Sequence, residues 1–150
     1  METMAKVIML TNKFFNLHWD EKIIGFPIPL WSAPWKFEGT QPNGNRQGCY
    51  ILLKGDEVLY IGVGASIGDG RYEGHGIGKR TNAYTQLGKG QRGVPCETRR
   101  YLPSKIWAER GLDGIAAIGF EKGYGYLAYA LEAYLVSRCP TPYNSNHPGG

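Results

Sequence analysis

One hundred and fifty residues, 42% apolar and 20% charged, suit one compact domain and rule out wholesale disorder. No apolar run approaches the roughly 20 residues of a membrane span, the start is a poor secretory signal, and three cysteines without a Cys-x-x-Cys pair argue against a disulfide framework or zinc ribbon, so a cytoplasmic protein with no membrane partner is expected. The net charge of +4 is uneven: residues 71–105 carry eight basic and two acidic side chains, a local +6 that leaves −2 elsewhere.

In chain order, the first predicted element is a helix over residues 4–18. A segment broken by Pro27, Pro29, Pro34 and Pro42 follows and ends in turn-rich residues 41–45. Residues 1–47 hold three of the four tryptophans and four of the five phenylalanines, but none of the ten tyrosines. So many aromatics would be costly in water, which makes 1–47 an extension packed on a main domain at 48–150. Residues 49–54 and 57–63 are β-branched and aromatic runs around Gly55-Asp56, a hairpin signal. Seven glycines between positions 62 and 78 then form a dense loop. Residues 79–87 read as a short helix ended by Gly88, 104–110 as a helix stopped by Gly111, and 115–120 as a strand. The longest helix spans 126–138, with Leu127, Leu131, Tyr134 and Leu135 at helical spacing and Pro140 beyond its end. This order predicts an α+β fold, a small antiparallel sheet of three strands or slightly more flanked by helices.

The hairpin register decides whether Tyr50 and Tyr60 meet. A two-residue Gly55-Asp56 turn pairs Tyr50 with Ile61 and sends the tyrosines to opposite faces. An odd loop centred on Gly55 pairs Tyr50 directly with Tyr60. It also collects Cys49, Ile51, Leu53, Leu59 and Ile61 on one apolar face, and is the register expected.

The tripeptides Gly48-Cys49-Tyr50 and Tyr60-Ile61-Gly62, with Arg80 and Tyr84 four residues apart, Glu132 on a later helix and Asn144 in a proline turn, resemble the GIY-YIG nucleases. The likeness covers residues 48–146. Cys49 stands where the family has isoleucine, and Val63-Gly64-Ala65 where a lysine or threonine often follows; Lys79, His75 or Arg71 are the candidate replacements. The resemblance implies an endonuclease that hydrolyses phosphodiester bonds of double-stranded DNA with one Mg2+ or Mn2+ per site. A small chain with one extension is closest to restriction-type members, and a homodimer is the simplest way to cut both strands.

It also implies roles. Tyr50 is the candidate general base, sharing its proton with Tyr84 or Tyr60, and Arg80 holds the scissile phosphate. Glu132 is the metal ligand, and Asn144 buttresses the site. The helical neighbours of Glu132 (Ala128, Tyr129, Leu135, Val136) carry no positive charge, so a carboxylate on this apolar stripe is costly unless compensated; a metal ion is one such compensation, and a helix-edge glutamate reaching water is the alternative. Phenols titrate near pH 10, so a tyrosine base requires nearby positive charge. The basic middle adds Arg71, Lys79, Lys89, Arg92, Arg99, Arg100 and Lys105 as nucleic-acid contacts, interleaved with Tyr72, Tyr84 and Tyr101. The competing readings are a catalytically silent nucleic-acid-binding module and a nuclease acting on RNA.

Overall fold

Strand β1 (Gln47–Lys54) sits at the centre of the molecule because its apolar residues are buried on both faces, leaving only Lys54 in water. The computed structural model describes residues 1–65 and 76–144. β1 pairs antiparallel with β2 (Glu57–Gly64) on one side and with β5 (Gly114–Phe120) on the other, in the order β2-β1-β5. A second sheet joins β3 (Thr85–Leu87) to β4 (Tyr101–Pro103). The α+β architecture read from the sequence is therefore the one observed.

Alternation along β1 separates two cores. Cys49, Ile51 and Leu53 point to helices α1 (Met4–His18) and α5 (Tyr126–Arg138). α1 buries Val7, Leu10, Thr11, Phe14 and Phe15, a stripe with helical period, and Thr3 caps its first turn by accepting from the Lys6 N–H. α5 buries Ala128, Leu131 and Leu135. Tyr50 and Leu52 point the other way, into a core shared with Trp35, Phe37, Ile77 and Leu112. Residues 1–47 thus contribute to both cores. They also cover sheet edges: Ser32 and Trp35 bond along β5, and the Glu2 carbonyl accepts from Val58 N–H on β2. Between these contacts lies the short helix α2 (Glu21–Ile24), capped by Asp20. Among the described residues no helix is long and apolar enough to cross a membrane.

The hairpin departs from the expected register in an informative way. Lys54 pairs with Glu57 across a two-residue turn in which Gly55 takes φ 58°, and both Asp113 carboxylate oxygens accept the Gly55 N–H at 2.9 Å. A bulge then intervenes, because Leu53 pairs with Val58 while Leu52 pairs with Tyr60. The extra residue, Leu59, restores the parity that the short turn would have reversed. Tyr50 accordingly pairs with Gly62, not with Tyr60, and the two tyrosines share a face as diagonal neighbours. Leu59 joins the tyrosine-side core and Val58 takes the apolar-side place assigned to it.

Pairing with Tyr50 explains why position 62 is glycine. A Cβ there would lie 2.3 Å from Tyr50 Cζ, well inside contact distance. Gly62→Ala is expected to destabilise the fold by about 1–3 kcal/mol through overpacking, as measured by urea unfolding.

Candidate active site

The helix expected over residues 79–87 is shorter and begins earlier. α3 spans Ile77–Thr81 and passes directly into a 3-10 turn at Asn82–Tyr84. Thr81 turns its hydroxyl back onto the Ile77 carbonyl at 3.0 Å, and Asn82 and Thr85 are residue types with low helix propensity. Thr85–Leu87 instead pairs with Tyr101–Pro103. Arg80 and Tyr84 therefore do not share one helical face; they come from successive elements, and the chain turn brings both to β2.

Tyr50, Tyr60 and Tyr84 form a cluster with ring centroids 5.6–6.3 Å apart. The hydroxyls of Tyr50 and Tyr84 are hydrogen-bonded at 2.7 Å. Tyr50 is 1% exposed, whereas Tyr60 and Tyr84 are partly open to solvent. Burial pushes the Tyr50 phenol far above its ordinary range, Tyr84 and Tyr60 push it further, and Arg80 pulls the other way. Burial also raises Tyr60, followed by the influence of Tyr84 and Glu132, again opposed by Arg80.

Arg80 lies at the C-terminal end of β2, where its Nε donates to the Val63 carbonyl at 3.3 Å. A cavity of ≈ 340 Å³ opens there between Gly64, Ala65, Gly76, Lys79, Arg80 and Ala83. Tyr129 on α5 donates its hydroxyl to the Ala65 carbonyl at 2.7 Å, tying that helix to the same strand end. Glu132, one turn further along α5, is partly buried and acts electrostatically on both Tyr60 and Cys49. Helix α5 covers the sheet face opposite Tyr50, yet β2 is an edge strand packed on α5, and the Glu132 charge reaches the Tyr60 phenol. Cys49 is fully buried and its thiol donates to the Ala128 carbonyl at 3.2 Å, joining β1 to α5.

Asn144 is held apart from the phenols. Its Oδ1 accepts the Ile61 N–H at 2.8 Å and its Nδ2 donates to the Ile61 carbonyl at 2.9 Å, with Thr141 donating to the same Oδ1. The amide thus acts as a one-residue strand on the open edge of β2, fixing the segment that carries Tyr60 and Gly62.

Among the described residues, no three His, Cys, Asp or Glu side chains gather into a metal cage. A metal at this site would rest on Glu132, with water and substrate phosphate completing its shell. Magnesium accepts such a donor set, because it keeps waters and binds through one or two carboxylates.

The basic residues are more dispersed. Lys79 adjoins Arg80, and Lys89 and Arg100 line a second cavity of ≈ 270 Å³ with Lys36 and Tyr101. Arg99 donates from Nε to the Val94 carbonyl at 2.9 Å, while Arg92 and Lys105 stand in solvent. Arg71, Tyr72 and His75 lie outside the described residues.

One group next to the cluster escaped the sequence reading. Trp107 on α4 (Lys105–Glu109) meets Tyr60, Tyr84 and Tyr143 edge-on, with centroids 5.3–6.2 Å apart. The Arg110 guanidinium lies 4.5 Å from the Trp107 ring and 4.1 Å from the Tyr143 ring. The available signal was the i, i+3 spacing of Trp107 and Arg110. No family model matches the chain, and no curated protein or solved structure matches it either.

Proposed function

We propose that this chain is a divalent-metal-dependent endonuclease of the GIY-YIG kind that hydrolyses phosphodiester bonds of duplex DNA. The observation that carries the reading is the convergence at Tyr60. A phenol from the 3-10 turn, a guanidinium from α3 and a carboxylate from α5 all act electrostatically on this one β2 side chain. Folding alone does not require these groups to share one place, and their combination suits a dianionic transition state.

Arg80 binds the scissile phosphate and stabilises charge that builds on it. Tyr50 and Tyr84 act as a hydrogen-bonded pair that takes the proton from the attacking water. Tyr84 provides the solvent-facing oxygen, since Tyr50 is buried. Glu132 holds one Mg2+ or Mn2+; when bound, the ion supplies positive charge that neutralises the phosphate and eases loss of a phenol proton. Lys79, Lys89, Arg92, Arg99, Arg100 and Lys105 attract the DNA backbone. A restriction-type role in the cytoplasm, with a homodimer cutting both strands, is the setting we infer.

The test is incubation of supercoiled plasmid with purified protein and Mg2+, beside arms containing a chelator or structured RNA at the same salt. Nicked and linear plasmid that disappears with the chelator is the expected result. No cutting of either polymer would leave a silent binding module, and preferential cutting of RNA would reassign the substrate.

The raised phenols set the pH dependence. Their proton-accepting form is scarce at neutral pH, so the rate should climb about tenfold per pH unit toward alkaline conditions. Tyr84→Phe, which removes the solvent-facing oxygen of the pair, should flatten this slope, as read from a pH–rate profile.

A further inference from the structure

The phenol cluster continues into side chains that the mechanism above leaves unused. Trp107 shares ring contacts with Tyr60, Tyr84 and Tyr143, and the Arg110 guanidinium lies over both the Trp107 and Tyr143 rings, 4.5 and 4.1 Å from their centres. Arg110 is half-buried, and its backbone is fixed as well, because it caps the C-terminal end of α4 and its N–H donates to the Ile106 carbonyl at 3.2 Å. The charge thus sits in a corner between two rings, one of which touches Tyr60 and Tyr84 directly.

Ring faces attract a guanidinium but leave its hydrogen-bonding capacity largely unused. Among the described residues, no carboxylate pairs with Arg110 and no acceptor takes its side-chain N–H groups. The carboxylates nearest in the chain do not serve it. Asp113 accepts from the Gly55 N–H and pairs with Lys36 at 3.6 Å, and Glu109 stands in solvent. Arg110 is therefore a positioned cation with open donors, and its planar fork matches a phosphate in shape and charge.

Strand β2 sets where that phosphate would lie. Along its outer edge, the Tyr143 N–H donates to the Leu59 carbonyl at 3.2 Å, Asn144 holds Ile61, and Arg80 donates to the Val63 carbonyl. Arg80 and, through Tyr143, Arg110 are thus anchored four residues apart, about 13 Å of extended chain, with Tyr60 between the anchors. Anchors at that separation suit two phosphates better than one. We propose that Arg110 binds a second phosphate of the DNA backbone, neighbouring the one held by Arg80, and so seats the strand across the phenols; the inference rests on the nuclease reading above. Trp107 and Tyr143 hold the guanidinium in place before DNA arrives, which reduces the ordering that binding requires.

Two measurements test this contact, both made on a duplex oligonucleotide without divalent metal so that nothing is cut. First, binding is followed against salt concentration for wild type, Arg110→Met and Arg110→Lys. Arg110→Met keeps apolar bulk between the rings and should weaken binding about tenfold while lowering the slope of log affinity against log salt by about 1. Arg110→Lys keeps the charge and should restore the slope. A purely structural arginine would leave the slope of a folded Arg110→Met protein unchanged, and that result overturns the proposal. Second, the Arg110 Nε–H resonance of wild type is followed as the duplex is added, which needs no variant to fold. A shift supports the contact; a resonance that stays put while that of Arg80 moves, or no DNA binding at all, overturns it. If the slope falls and the resonance shifts but plasmid with Mg2+ is never cut, the phosphate contact stands and only the nuclease reading falls. If plasmid is cut with slope and resonance unchanged, the reverse holds.

Discussion

Replacing Glu132 by glutamine is expected to slow magnesium-dependent plasmid cleavage by about a thousandfold while leaving thermal stability close to that of wild type. Glutamine keeps the shape of the side chain on α5 and removes its charge, so the effect isolates the carboxylate. The same substitution has a readout that does not depend on catalysis. Glu132 raises the Tyr60 phenol, so in Glu132→Gln the Tyr60 proton should leave at lower pH, as followed by phenolate absorbance. A fall in rate without that shift would place Glu132 away from the tyrosines. A shift without a fall in rate would keep the geometry and remove the carboxylate from catalysis.

Asn144→Leu is expected to cost about 2–4 kcal/mol of unfolding free energy, the largest effect on stability of any exchange considered. Both backbone groups of Ile61 end on the Asn144 amide, and Ile61 is fully buried. Leucine fills similar space but leaves a donor and an acceptor unpaired, each costing roughly 1–3 kcal/mol. Asn144→Asp separates the two bonds. Its carboxylate still accepts the Ile61 N–H but sets a second oxygen against the Ile61 carbonyl, so it too should destabilise. Urea unfolding of the three proteins checks the order. Equal stability of Asn144→Leu and wild type would mean that the β2 edge is held by something else.

Much of the fold was legible because its signals are local and repeat. The stripe at positions 7, 10, 11, 14 and 15 marks α1, and the alternation through Cys49, Ile51 and Leu53 marks β1. The register was harder, because a bulge leaves no signature in a run of apolar residues. Tyr50 and Tyr60 were placed on one face through an odd loop; the protein reaches that result with an even turn and one extra residue, Leu59. The early end of α3 was hidden for a related reason. Arg80 and Tyr84 have helical spacing, but Thr81, Asn82 and Thr85 carry polar groups that compete with the helix, and a partner strand 16 residues beyond Thr85 draws the chain into β3. The ribbon formed by β3 and β4 depends on that long-range pairing, and three-residue strands give little periodicity to read.

At the candidate site, the named chemical groups were available from spacing and resemblance, and their mutual arrangement was not. The resemblance names Asn144 without saying what it touches; the structure shows its amide on both backbone groups of Ile61. The seating of Arg110 between Trp107 and Tyr143 joins residues far apart in sequence and could be found only in three dimensions. The difference between Tyr50, sealed from solvent, and the partly open Tyr84 also comes from packing. In the proposed mechanism this difference makes Tyr84 the oxygen that faces the attacking water.

The most direct measurement is anomalous diffraction from crystals grown with Mn2+ and a DNA duplex. The expected result is one manganese ion bound by the Glu132 carboxylate and a phosphate oxygen, with the Arg80 guanidinium on the same phosphate. An ion bound elsewhere, or DNA seated away from Tyr60 and Arg80 with Glu132 holding no metal, would contradict a phosphodiesterase site built from these residues.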